Sequence, residues 1–116
     1  MTTEADTPPI PPEAAAQAFA ALGAEPRLEV IRLLVRAGPE GLAVGALQAR
    51  LDVPASTLSH HLRFLTAAGL MTQERRGRSL ICRAAFEAIG ALSAFLDREC
   101  CADVAAPAAP SERTGP

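Results

Sequence analysis

The chain of 116 residues carries 11 basic and 13 acidic side chains for a formal charge of −2, with 3% aromatic residues and neither Trp nor Tyr. This length suits one domain with a modest core, and no apolar run approaches the ~20 residues that span a bilayer, so a membrane-spanning chain is not expected. Few aromatic rings argue against stacking on single-stranded bases, and the acidic start, unlike a signal peptide, points to a cytoplasmic protein.

Residues 1–12 hold Pro8, Pro9, Pro11 and Pro12 and read as a disordered or extended arm. From Glu13 to Leu22 the chain is rich in strong helix formers and stops at Gly23. A helix so dominated by Ala permits close approach of another helix, within the subunit or across an interface. Pro26 opens a second helix at a favoured first-turn position. Its expected buried stripe is Leu28, Val30, Ile31, Leu34 and Val35, with Arg27, Arg32 and Arg36 outside, and Gly38-Pro39 ends it. Gly41 to Leu51 reads as a short third helix buried through Val44, Leu47 and Leu51, followed by a tight turn at Asp52-Val53-Pro54.

The stretch from Pro54 to Leu70 reads as one helix with an apolar stripe at Leu58, Leu62, Leu65 and, one step off, Phe64. Ser56 is expected to cap its start, and Gly69 to supply the left-handed residue that ends it. Between the stripe positions lie Ser56, Thr57, Ser59, His60 and Arg63, with no acid among them. An apolar back with a small-polar, acid-free front suits a DNA major groove, and it equally suits an ordinary amphipathic helix with a solvated face. The neighbours decide. Residues 42–69 form helix, short turn, helix, the helix-turn-helix arrangement.

Every basic residue is Arg. From Arg27 to Arg83 nine arginines face four acids, a local charge of +5, between ends of −4 and −3. A basic middle flanked by acidic ends is an electrostatic footprint that the overall charge hides. Met71–Arg76 and Ser79–Arg83 read as a β-hairpin around a Gly-containing turn. Arg75, Arg76 and Arg78 at its tip have no acid nearby except Glu74, as expected of a wing that reaches the phosphate backbone or minor groove. Ala84 to Cys101 reads as a last helix with Phe86, Ile89, Leu92, Phe95 and Leu96 on one face, and residues 102–116, rich in Ala and Pro, as a disordered tail. The expected fold is mainly α (α+β): a winged helix-turn-helix of about five helices and one hairpin wing, over residues 13–101.

The run from Ser56 to Leu70, then Arg75-Arg-Gly-Arg78, then a hydrophobic helix, resembles the ArsR/SmtB family of metal- and metalloid-responsive repressors. Leu22-Gly-Ala-Glu-Pro-Arg-Leu28 and Ile31-Arg-Leu-Leu34 are similar to that family's segment before the helix-turn-helix. The resemblance covers roughly residues 15–101. It implies a homodimer joined through the first and last helices, bound to an imperfect palindrome in double-stranded operator DNA and released by an inducer. Two departures narrow the subgroup. The start of the helix-turn-helix, Leu47 to Asp52, lacks the Cys-x-Cys of well-known arsenic sensors. The only histidines are His60 and His61, so the zinc ligands that the family places on its last helix are absent.

Cys82, Cys100 and Cys101 remain. An odd number without an export signal points to reduced thiols. In the family context, Cys100 and Cys101 are expected to bind trivalent arsenic or antimony as arsenite, methylarsenite or antimonite; soft thiolates select such centres. An inorganic centre takes three sulfurs and a methylated one takes two. Cys82 reads either as a small core residue or as the third ligand. Residues 86–100 of a straight helix span about 21 Å, so Cys82 reaches the pair only across a dimer. No other cofactor is expected. A thiol redox or persulfide response is the alternative within the same fold. A thiol or zinc enzyme is disfavoured because no His lies near any Cys in sequence and Asp97 is a lone carboxylate; a helical adaptor that binds no DNA is the remaining rival.

Overall fold

The computed structural model describes residues 9–104; residues 1–8 of the expected arm and 105–116 of the expected tail lie outside the described residues. Helix α1 (Pro12–Leu22) takes one residue from the expected arm, because Pro12 occupies the first helical position, where its missing N–H costs nothing. Its inner stripe is Ala15, Ala18 and Ala21, all buried. Side chains of one methyl let α1 lie close on its neighbours.

Helix α2 (Glu25–Ala37) buries Val30, Ile31 and Leu34, whereas Leu28 and Val35 of the expected stripe are 44% and 42% exposed. At 3.6 residues per turn those five positions cover about 160° of the helix, and only the arc through 30, 34 and 31 meets protein. A 3₁₀ turn at Gly38–Glu40 follows. The third helix does not begin at Gly41. Leu42–Ala43 form a two-residue strand, β1, and helix α3 spans Val44–Leu51. Leu47 is its fully buried residue, and Val44 and Leu51 are half-buried.

After helix α4 (Ala55–Ala67) come strands β2 (Met71–Arg76) and β3 (Ser79–Ala84). The antiparallel sheet has the order β1-β3-β2, with Cys82 opposite Leu42 on one side and Gln73 on the other. Helix α5 spans Phe86–Asp97, shorter at both ends than expected. Ala84 belongs to β3, and after Asp97 the chain runs into turns closed by Cys100 N–H to Asp97 O (2.9 Å) and Ala102 N–H to Glu99 O (2.9 Å). The cysteine pair therefore sits beyond the helix.

Val30, Leu34, Leu47, Leu58, Leu65, Leu70, Met71 and Cys82 form the centre of the core, and among the described residues no polar or charged one is buried with them. Of the apolar face expected on α5, Leu92 is buried and Ile89 half-buried, while Phe86, Phe95 and Leu96 are exposed, Leu96 by 66%. Among the described residues no helix is long and apolar enough to cross a membrane.

The approach of the 3₁₀ turn to the sheet depends on Gly41. Its φ is +73°, and a Cβ there would run into the Cys82 carbonyl. Gly41→Ala is therefore expected to destabilise the fold by about 2 kcal/mol, visible as a fall in melting temperature of roughly 10 °C. Gly45→Ala, in a helix with open space at the Cβ position, is expected to hold or raise it.

Candidate nucleic-acid interface

Helix α4 is pinned by its back. Leu58, Leu62 and Leu65 are buried, and Ser56, Thr57, Ser59, His60 and Arg63 are all exposed on the opposite arc. Ser56 is not the cap that its sequence position suggested. Pro54 takes that place with extended backbone (φ −60°, ψ 150°) and no side-chain cap, so Ser56 is the second helical residue and its side chain points outward with the front. The far end follows expectation: Gly69 has φ +77°, Gly69 N–H donates to Thr66 O and Leu70 N–H to Leu65 O, each at 3.0 Å. That pair of bonds is a Schellman closure.

The turn before α4 is equally determined. Asp52 adopts φ 55°, a left-handed conformation that Asp tolerates, and its N–H donates to Gln48 O at 2.9 Å. Gln48 Nε2 then donates to Val53 O at 3.3 Å, tying α3 to the turn.

In the wing, Arg76 pairs with Ser79 in the strand register, leaving Gly77 and Arg78 as the two turn residues. Gly77 has φ +58° while Arg78 does not have positive φ, the pattern of a type II′ turn. Arg75, Arg76 and Arg78 are exposed. Strand alternation separates them. Arg75 shares the face of buried Met71, whereas Arg76 shares the outer face with Glu74, whose Oε2 lies 3.7 Å from Arg76 Nε. Glu74 is also held by Arg83, with Nη1 2.7 Å from its Oε1, and Arg83 Nε donates to Pro39 O at 2.9 Å. The Arg83 hydrogen bond, with the Arg76 and Arg83 charges, lowers the Glu74 carboxyl below its ordinary pKa. Arg75 and Arg78 have no ion pair among the described residues.

One functional neighbour escaped sequence reasoning. Arg27, assigned to the solvent face of α2, instead turns back over α1 and α4. Its Nε donates to Ala21 O at 2.6 Å, its Nη1 lies 3.4 Å from His61 Nδ1, and its guanidinium carbon stands 4.6 Å from the Phe64 ring centroid. Phe64 in turn takes the His60 ring edge-on at 4.9 Å. Burial, Arg27 and then His60 lower the pKa of His61 below 6.5. No local pattern marks this cluster, since Arg27 and His61 are 34 positions apart and meet only through the packing of three helices.

The three cysteines divide. Cys82 is fully buried in β3, burial pushes its thiol pKa up, and its Sγ accepts from Gln73 Nε2 at 3.5 Å. Cys100 and Cys101 are exposed past α5 with their sulfurs 3.8 Å apart, and Cys101 has φ +62°. Among the described residues of the single chain, no group of three or more His, Cys, Asp or Glu side chains is gathered as for a metal ion.

Comparison with known proteins agrees with this geometry. Residues 22–74 match a family model described as a helix-turn-helix domain. A Halobacterium salinarum protein described as an arsenical resistance operon repressor, ArsR, is 42% identical over 66 residues, 57% of this chain. The chain spans half the length of that relative. An ArsR-like transcriptional regulator from Rhodococcus sp. RHA1 superposes with a TM-score of 0.68 at 28% identity, over 79% of this chain and 84% of its own. A structure described as a transcriptional regulator for arsenical resistance gives 0.61 at 30% identity, over 71% of this chain and 81% of its own.

The lowered His61 pKa has a stability consequence. His61 resists protonation in the fold, while the unfolded chain takes up the proton near pH 6.5, so acidification below that value favours unfolding. Wild type is expected to lose more stability between pH 7.5 and 5.5 than His61→Gln, measured by urea unfolding at each pH. Equal losses would contradict it.

Proposed function

We propose that the chain is an ArsR-family helix-turn-helix transcriptional regulator, a homodimeric repressor whose α4 reads operator DNA. The two solved relatives named above are described as transcriptional regulators, not as enzymes. The observation that carries the reading is the front of α4: five exposed donor side chains, Ser56, Thr57, Ser59, His60 and Arg63, without an acid, on a helix whose back is fully seated. Short polar side chains and Arg are what base edges and phosphates accept in a major groove. Arg75 and Arg78 extend the basic surface to the backbone beside it, with Arg76 partly neutralised by Glu74. The apolar face of α5 with Phe86, Phe95 and Leu96, joined by exposed Phe19 of α1, supports dimerisation through these helices.

We further propose that the inducer is a trivalent arsenic or antimony centre held by Cys100 and Cys101. What supports this is the pair of exposed sulfurs at 3.8 Å, together with relatives described in terms of arsenical resistance. Two thiols displace two hydroxide ligands from the trivalent centre, each thiol proton leaving with a displaced hydroxide as water, with no change of oxidation state. The burial and raised pKa of Cys82 favour a core role for it and a two-sulfur site, which a methylated centre satisfies. Release follows by linkage: an inducer that binds one dimer geometry better lowers affinity for DNA that needs the other.

Binding to a fragment of the chain's own promoter is expected to weaken steeply with salt, and Arg63→Ala and Arg78→Ala each to lower the affinity, the Arg78 variant also reducing the salt slope by about one unit. Salt-independent binding, or none, would contradict the reading. Titrating the bound complex with methylarsenite is expected to release DNA from wild type and Cys82→Ser but not from Cys100→Ser or Cys101→Ser. A thiol redox response rests on the same sulfur separation, and intact mass after oxidant and after arsenite tells the two apart.

A further inference from the structure

Three helices meet at Arg27. Its Nε bonds the Ala21 carbonyl in the last turn of α1, a turn with no basic residue of its own, and so supplies the cation that a helix C-terminus favours. The rest of the fork reaches the middle of α4, over the Phe64 ring and to His61 Nδ1. Phe64 is 46% exposed and His61 half-buried, so this contact lies at the edge of the core, where leucine packing alone leaves the helix freest to roll.

We infer that Arg27 is a positioning residue for DNA reading: it latches α4 to the end of α1 and fixes the rotation at which the α4 front is presented, with neutral His61 as the acceptor. The inference rests on the reading of α4 given above. The charged and titratable groups that bear on His61 are Arg27 from α2 and His60 from its own helix. While His61 is neutral, its Nδ1 lone pair accepts from Arg27 Nη1. Once protonated, the same nitrogen is a donor facing a donor, and two cations repel across 3.4 Å. The latch is thus closed at neutral pH and opened by acid. Lysine, with one ammonium in place of the fork, cannot reach Ala21 O and His61 at the same time.

The test measures the affinity of the full chain for a duplex of its promoter at pH 7.5 and 5.5, with melting temperatures at each. Arg27→Lys is expected to fold with a similar melting temperature and to bind about tenfold more weakly at pH 7.5, although the charge is kept. His61→Gln retains an acceptor but cannot protonate. It is expected to match wild type at pH 7.5, and wild type is expected to lose about threefold more affinity than this variant on going to pH 5.5. Wild-type affinity in Arg27→Lys, or an acid loss in wild type no greater than in His61→Gln, overturns the latch. If Arg27→Lys fails to fold, the His61→Gln comparison decides alone. If wild type binds no duplex, the functional reading fails, and the latch is decided by the His61 ring titration. That titration should lie at lower pH in wild type than in Arg27→Met; equal midpoints would overturn the latch.

Discussion

The seating of Leu58, Leu62 and Leu65 governs the rest of the molecule. They share one core with Val30, Ile31 and Leu34 of α2, and their burial contributes on the order of 1.5–3 kcal/mol each as an upper estimate. Once they are seated, helical periodicity turns Ser56, Thr57, Ser59, His60 and Arg63 outward. The Schellman closure at Gly69 then delivers Leu70 and Met71 into the same core. The hairpin begins there, so the direction of the wing is a consequence of how α4 ends.

Charge is distributed to leave this surface usable. Arg32 is taken by Glu29 at 2.8 Å, Arg83 by Glu74 and the Pro39 carbonyl, and Arg27 by α1 and α4. The net of +5 across the middle of the sequence therefore does not act as nine equivalent cations. Arg83 serves to fasten the wing to the 3₁₀ turn, which is why Gly41 must let the backbone come so close. Arg63, Arg75 and Arg78 remain as exposed cations on α4 and the hairpin tip.

Much of this was legible in the sequence because it follows from periodicity and turn chemistry. The Leu58, Leu62 and Leu65 stripe of α4, its Gly69 stop, the hairpin and the order of the helices all rest on local rules, and the structure has them. Phe64, expected one step off that stripe, is instead 46% exposed. The helix-turn-helix match over residues 22–74 falls on that same region. Other features depend on partners far along the chain. Strand β1 is two residues long and exists because β3 lies beside it, so nothing in Leu42-Ala43 announces it. Leu28 and Val35 fit an apolar stripe, but no neighbour covers that part of the helix. The last helix stops at Asp97 because Leu92 and Ala94 are its last buried residues, although the residues beyond have adequate helix propensity. Arg27 looked like a solvated arginine because its acceptors come from two other helices. Ser56 has the right chemistry for a cap, and Pro54 reached the position first.

In the proposed homodimer, α4 and the wing are two parts of one DNA-facing surface, repeated by two-fold symmetry through the exposed faces of α1 and α5. Hydroxyl-radical footprinting of the protein on its own promoter measures that directly. Two related patches of protection are expected about one helical turn or a multiple of it apart, each extended on the outer side by a short patch from the wing. A single unrepeated patch, or protection with no change when Arg75 and Arg78 are both replaced by Ala, would contradict it.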